Sequence, residues 1–117
     1  LLADESYENG KHKGLGWIGG SIKKLFGPNL KLPHMGWNNV KIRESFPKMI
    51  FSKENKDFYF VHNYYFECLN KKNIIGSTKY GLNFASIIGK ENIYGVQFHP
   101  EKSSVQGLQL IKNFLSI

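Results

Sequence analysis

The chain of 117 residues is long enough for one small domain, and its hydrophobic residues, 41% of the total, suffice for a single modest core. Charged residues make up 21% and form no long run of one sign, which excludes a disordered or fibrous chain. The net charge is +7, but the lysines are scattered and belong to no known motif, so we expect no nucleic-acid partner.

The single cysteine, Cys68, excludes an intramolecular disulfide framework and favours a reducing compartment, so we expect a cytoplasmic protein. No apolar run reaches the roughly 18 residues of a membrane span, and no charged-then-apolar leader opens the chain. The chain begins at Leu1 without an initiator methionine, in what reads as the tail of a helix. We therefore expect residues 1–117 to be a single partial domain.

The predicted elements start with that helical remnant over residues 1–6 and continue as strands. Alternating apolar residues predict short strands over residues 22–26 and 40–42. The longest strand candidate is residues 58–69, where aromatic and β-branched residues occur without Pro or Gly, and we expect it to be covered on both faces. Three shorter strands follow, over residues 74–80, 84–88 and 93–98. These segments predict a β-rich middle.

An amphipathic helix is predicted at the end of the chain, where a serine at position 103 or 104 is available as N-cap. Its apolar face would consist of Val105, Leu108, Ile111 and Leu115, which are three or four residues apart. We expect this helix to close over the sheet, which makes the fold class α/β.

His99, Pro100 and Glu101 form the most informative short motif. Pro100 favours an extended conformation at His99 and ends the strand, and Glu101 can then fold back toward the imidazole. A carboxylate on Nδ1 would leave Nε2 free to act as a base. Taken alone, these three residues favour an ordinary surface turn.

Three segments carry a resemblance to a known family. Residues 95–101 (Gly-Val-Gln-Phe-His-Pro-Glu) resemble the histidine/glutamate motif of class I, triad-type glutamine amidotransferases. Residues 33–38 (Pro-His-Met-Gly-Trp-Asn) and 59–65 (Tyr-Phe-Val-His-Asn-Tyr-Tyr) look like segments of the glutaminase subunit of imidazole glycerol phosphate synthase. The resemblance covers the whole chain. It implies the C-terminal half of a flavodoxin-like, doubly wound α/β domain.

The resemblance assigns catalytic roles to two residues. His99 would be the general base and acid for a cysteine nucleophile, and Glu101 would orient His99. Cys68 lies in a segment without glycine or a helix start, unlike the family's nucleophile turn, so we expect it to be an inert strand residue. The resemblance places the nucleophilic cysteine a few residues before Leu1, and the isolated chain should then be inactive.

The resemblance also implies that His62, Asn63 and Tyr64 flank the bound glutamine with main-chain contacts. Many family members have Ser or Thr at the position of Asn63, a departure that matters little if backbone atoms make the contact. The alternative for these three residues is a plain buried aromatic strand.

A partner interface is implied next to this site. The partner would be a (β/α)₈-barrel cyclase that receives ammonia internally, in a heterodimer. The implied contact residues are Pro33, His34, Met35, Gly36, Trp37 and Lys102. An exposed Trp beside a Met suits an interface, but from the sequence Trp37 could equally fill the core of its own domain.

Neither a metal nor a cofactor is predicted. The four histidines have no close ligand spacing and no carboxylate cluster joins them. The glycines of residues 14–20 match a dinucleotide fingerprint, but they follow a polar loop and precede a strand, which is the wrong context for phosphate binding.

Three functions remain open from the sequence. The first is the glutaminase, a hydrolase acting within a lyase complex, that supplies ammonia to the cyclase in histidine biosynthesis. The second is a paralogue with the same chemistry whose partner aminates another substrate, such as a surface sugar. The third is a non-catalytic interaction fragment, which is the behaviour expected of the isolated chain.

Overall fold

The fold is known from a computed structural model that describes residues 2–43 and 56–116. The described residues form two sheets, one α-helix and two single-turn 3₁₀ helices at Lys71–Asn73 and Pro100–Lys102. The strands are β1 (Glu5–Ser6), β2 (His12–Lys13), β3 (Gly20–Lys24), β4 (His34–Asn39), β5 (Lys41–Ile42), β6 (Asp57–His62), β7 (Tyr64–Cys68), β8 (Ile74–Tyr80), β9 (Leu82–Lys90) and β10 (Ile93–Val96). The helix α1 spans Ser104–Leu115.

The larger sheet has the strand order β2-β1-β3-β7-β9-β8-β5, with β10 also paired to β9, and the smaller sheet consists of β4 and β6. The strand pairs of the larger sheet are antiparallel except for β1 with β3, which is parallel. The predicted mixed α/β fold, with a β-rich middle and a closing C-terminal helix, is therefore confirmed. The strands predicted over residues 74–80, 84–88 and 93–98 correspond to β8, β9 and β10.

The predicted single strand over residues 58–69 is wrong, because the chain changes sheets at Asn63. β6 pairs with β4 in the smaller sheet, and β7 pairs with β3 in the larger one. The carbonyl of Asn63 accepts a hydrogen bond from the backbone N–H of Leu25, which follows β3. A continuous run of strand-forming residues does not reveal which partner each half pairs with, so the corner was invisible in the sequence.

The helical remnant predicted at the chain start is also wrong over the described residues. Ala3 is buried, and the backbone N–H groups of Asp4 and Tyr7 donate to the carbonyls of Gly20 and Ile22. This pairing makes the segment a strand between β2 and β3, because the long-range ladder satisfies the backbone groups that a helical turn would otherwise use. Leu1 lies outside the described residues.

The core consists of two clusters on the two sides of the larger sheet's strands. One contains Leu25, Val40, Phe58, Phe60, Tyr65, Ile75, Phe84, Ile87, Phe98 and Leu110. The other contains Ala3, Ile18, Phe66, Ala85 and Ile88. Phe98 belongs to the first cluster and directly precedes His99, so the packing of that cluster anchors the strand end that carries the candidate base.

The helix α1 buries a different face from the predicted one. Gly107 and Leu110 are buried, whereas Val105 and Leu108 are 75% and 62% exposed. The physical reason is the close approach of the helix at Gly107, which turns Leu110 inward. No helix in the described ranges has the length and apolarity needed to cross a membrane.

Candidate active site

His99 and Glu101 form a hydrogen-bonded pair at the turn after β10. His99 is extended, with φ −99° and ψ 98°, and the 3₁₀ helix begins at Pro100. The Nδ1 of His99 lies 2.9 Å from the Oε1 of Glu101. Because a carboxylate only accepts, Nδ1 carries the proton and Nε2 is left free. The two side chains are 40% and 58% exposed, so a substrate can reach the imidazole.

Local hydrogen bonds keep Glu101 ionised. A bond from its own backbone N–H and the bond from His99 both lower the pKa of Glu101. Hydrogen bonds to the charged form favour that form, so the carboxylate stays negative at neutral pH. It can therefore hold the imidazole in one orientation and stabilise the imidazolium that forms during proton transfer.

The backbone of His99 is fastened to β6 by a three-bond clamp. The N–H of His99 donates to the carbonyl of Tyr59 at 2.9 Å. The N–H of Tyr59 donates to the hydroxyl of Ser103 at 2.9 Å, and that hydroxyl donates to the carbonyl of His99 at 2.6 Å. Ser103 is fully buried. It occupies the N-cap position of α1, as predicted, but it makes no side-chain cap bond because its hydroxyl serves the clamp.

Gly107 allows α1 to pass directly over the His99 turn. A Cβ at this position would lie 1.9 Å from the carbonyl oxygen of Pro100. A side chain of any size would therefore push the helix away from the turn. Leu110, one turn later, packs into the core beside Phe98. The helix thus packs directly against the turn.

The three residues predicted to flank glutamine lie at the corner between β6 and β7. His62 is buried, Asn63 is exposed and Tyr64 is half-buried. The Nδ1 of His62 lies 2.7 Å from the carbonyl of Tyr64. Burial lowers the pKa of His62, the hydrogen bond to the carbonyl of Tyr64 opposes this shift, and the charge of His99 lowers the pKa further. Glutamine binding by these residues stays a prediction.

The segment predicted to contact a partner lies mostly on β4, where side chains alternate. His34 points inward and is 3% exposed, whereas Met35 and Trp37 are 60% and 54% exposed. The alternative that Trp37 fills the core of its own domain is therefore wrong. Pro33 and Gly36 are half-buried and Lys102 is exposed. The interface itself stays a prediction.

Cys68 lies at the end of β7, opposite Gly20 of β3. Burial raises the pKa of the Cys68 thiol to about 11, so it is protonated at neutral pH and a poor nucleophile. The side chain packs against the second core cluster, whereas the turn at His99 adjoins the first. Within the described ranges, no group of three or more His, Cys, Asp or Glu side chains could hold a metal ion.

Several site residues escaped the reasoning from sequence. The Ser103 hydroxyl and Gly107 both support the turn at His99, and His34 pairs with His62 inside the domain at 2.8 Å. The glycine within a predicted helix was a usable signal, because an isolated glycine there often marks a close approach. The serine and the histidine pair have no such local sign, since their partners lie 44 and 28 residues away along the chain.

Comparison with known proteins gives consistent results. The family described as glutamine amidotransferase class-I matches residues 16–117. The chain is 45% identical to the imidazole glycerol phosphate synthase subunit HisH of Azospirillum brasilense, over 99% of the chain and 62% of that relative. The HisH subunits of Rhodospirillum rubrum and Methanocaldococcus jannaschii are 45% and 46% identical, over 55% and 59% of their lengths. The chain thus spans somewhat more than half the length of these curated relatives.

Proposed function

Because the chain belongs to the class-I glutamine amidotransferase family, as the motif at residues 95–101 predicted, we propose that the protein carrying it hydrolyses glutamine to glutamate and ammonia. The observation that carries the proposal is the pair of His99 and Glu101, with Nδ1 held by the carboxylate and Nε2 free in an exposed turn. This is the arrangement that a base needs in order to activate a thiol.

The proposed reaction uses His99 twice. Its Nε2 takes the proton of a cysteine thiol, and the thiolate attacks the side-chain carbonyl of glutamine. The imidazolium then protonates the leaving nitrogen, so ammonia departs and a thioester remains. Water, deprotonated by Nε2, cleaves the thioester to glutamate and restores the thiol. Glu101 orients the ring throughout. The raised pKa of Cys68 supports a different thiol as nucleophile. The family resemblance implies that this thiol lies on a segment upstream of Leu1.

We further propose a cytoplasmic heterodimer in which the ammonia passes to a (β/α)₈-barrel cyclase that makes imidazole glycerol phosphate, a lyase step of histidine biosynthesis. The relatives are named as subunits of imidazole glycerol phosphate synthase, which supports a partner. The exposed Met35 and Trp37 on β4 support this strand as the contact surface, because large apolar side chains at the surface commonly mark interfaces.

The test uses the complete gene product with its copurified partner and measures glutamate release from glutamine. His99→Ala should lower kcat by about 10²-fold or more, the usual contribution of a general base. Glu101→Gln should lower it less, since the ring keeps a hydrogen-bond acceptor. His12→Ala is the matched control, because His12 is exposed on β2 and has no proposed role. Full activity in His99→Ala would refute the assignment of the base.

The nucleophile is tested separately in the same protein. Cys68→Ser should keep full glutaminase activity, whereas serine at a cysteine in a Gly-x-Cys-x-Gly turn just before Leu1 should abolish it. An intact mass near twice the 13.4 kDa of this chain would agree with a domain that includes that segment. Loss of activity in Cys68→Ser, or a gene without an upstream cysteine, would contradict the proposal. Rescue of a histidine auxotroph separates the cyclase partner from one that aminates another substrate.

A further inference from the structure

Two histidines away from the catalytic pair lie against each other in the interior. His34 on β4 and His62 on β6 are opposite each other in the smaller sheet, and they are 3% and 9% exposed. The Nδ1 of His34 is 2.8 Å from the Nε2 of His62. The chain of contacts continues at both ends, to the carbonyl of Tyr64 at 2.7 Å and to the Nδ2 of Asn38 at 3.1 Å.

We call the chain of hydrogen bonds from Asn38 through His34 and His62 to the carbonyl of Tyr64 the relay. The groups at its two ends determine the direction of each bond in it. The carbonyl of Tyr64 can only accept, so the Nδ1 of His62 carries a proton and its Nε2 accepts. At the other end, the amide nitrogen of Asn38 donates, so the Nε2 of His34 accepts and its Nδ1 donates to His62. The amide cannot flip freely, because its Nδ2 also donates to the carbonyl of Lys79. Both imidazoles are therefore neutral Nδ1–H tautomers, with every donor and acceptor satisfied.

The surroundings keep the relay neutral and rigid. The ring of His34 stacks on Tyr80 and Phe60, with centroid distances of 4.0 and 4.8 Å. Phe84 lies edge-on to His62 at 5.0 Å. Burial lowers the pKa of both histidines, that of His34 to about 4. The titratable groups that face the pair are Tyr80 from β8 and His99 from the turn after β10.

The relay ends at the corner where the chain changes sheets. The bond from His62 to the carbonyl two residues later turns that carbonyl inward, and Asn63 between them is left exposed with its own carbonyl bonded to Leu25. The backbone of this corner is thus held from both sides. The other end of the relay consists of His34 and Asn38, which both lie on β4, and the outward side chains of β4 include Trp37.

We propose that His34 and His62 are positioning residues for the glutaminase reaction: through the relay they hold the main chain of the β6–β7 corner where it meets glutamine, without touching the substrate themselves. This inference rests on the proposed function. It assigns the side chain of His62 to the interior, so that at this residue only backbone groups are left to contact glutamine.

The test measures KM and kcat for glutamine in the complete protein with its partner. His62→Phe keeps an aromatic ring but leaves the Tyr64 carbonyl without its donor, so KM should rise about tenfold or more while the pH profile of kcat stays that of the unaltered protein. His62→Asn should raise KM less than His62→Phe does, because its amide nitrogen occupies the place of Nδ1 and can donate to the same carbonyl, although the Nδ1 of His34 loses its acceptor. His12→Phe is the control.

The outcomes are distinguishable. If the unaltered protein releases no ammonia from glutamine, the proposed function fails. If it is active and His62→Phe leaves KM unchanged, or His62→Asn is no better than His62→Phe, the relay proposal fails. Should His62→Phe not fold, His34→Phe breaks the next bond of the relay and the same KM criterion applies.

Nitrogen NMR of the histidine rings in the unaltered protein gives an independent readout. His34 and His62 should both appear as neutral Nδ1–H tautomers at pH 7, and their signals should shift when glutamine binds. An imidazolium or an Nε2–H tautomer at either position, or signals that glutamine does not move, would overturn the proposal.

Discussion

At the scale of single residues, the candidate base is positioned mainly through its backbone. Glu101 holds the imidazole, but the place of His99 in the fold is set by the clamp that joins its N–H and carbonyl to Tyr59 and Ser103. Main-chain anchoring of this kind restricts a side chain without using its reactive atoms. The free Nε2 of His99 is therefore compatible with a well-ordered turn.

Removal of the Ser103 hydroxyl should reveal this anchoring. In Ser103→Ala the N–H of Tyr59 loses its acceptor at a part-buried position beside the fully buried Ser103, so the free energy of unfolding should fall by roughly 1–3 kcal/mol. Urea denaturation of the complete protein measures the change. Ser104→Ala is the matched control, because the neighbouring serine is exposed, and it should change stability by less than about 0.5 kcal/mol. Equal effects of the two substitutions would contradict the clamp.

At the scale of elements, α1 acts as a support for the turn at His99. Its inward face is defined by a glycine and a leucine, and much of its predicted apolar face is exposed in the described residues. Close approach at Gly107 matters more for its orientation than the spacing of the apolar side chains.

Gly107→Ala gives a test in which two effects have opposite signs. Helix propensity alone would stabilise the protein by about 1 kcal/mol. The added Cβ would lie 1.9 Å from the carbonyl oxygen of Pro100, so we expect net destabilisation and a lower kcat instead. Lys112→Ala, an exposed substitution in the same helix, should leave both nearly unchanged. Thermal unfolding and the glutamate assay measure the two quantities. A stabilised, fully active Gly107→Ala would show that the helix does not rest on the turn.

At the scale of the whole molecule, the buried histidine pair links stability to pH. The pKa of His34 is held at about 4, mainly by burial and also by His62, against an ordinary 6.5 in the unfolded chain. Between these values the unfolded state binds more protons than the folded state, so the free energy of unfolding is complete above about pH 6.5 and falls as the pH drops toward 4.

The expected pH dependence can be assigned by substitution. His34→Phe should flatten the fall in unfolding free energy between pH 6.5 and 4, because it removes a group that binds a proton in the unfolded state but not in the folded state over this range. His12→Phe, at an exposed position, should leave the fall intact. Denaturant titrations at a series of pH values measure both curves. An unchanged slope in His34→Phe would mean that other groups control acid stability.

Much of the larger sheet was predictable because its strands are marked locally. β8, β9 and β10 are short runs of strand-forming residues separated by turns such as that at Gly81, whose φ of +77° suits glycine. β4 was missed, because His34–Asn39 shows no regular apolar alternation and becomes a strand only through pairing with β6.

The sequence by itself determined the family, through residues 95–101, and the local pairing of His99 with Glu101, because a proline turn brings the two side chains together within three residues. Only the tertiary structure decided the sheet change at Asn63, the clamp at Ser103 and the pairing of His34 with His62. These depend on backbone and side-chain partners 18 to 48 residues apart, and such partners are chosen by how the sheets pack and not by any local pattern.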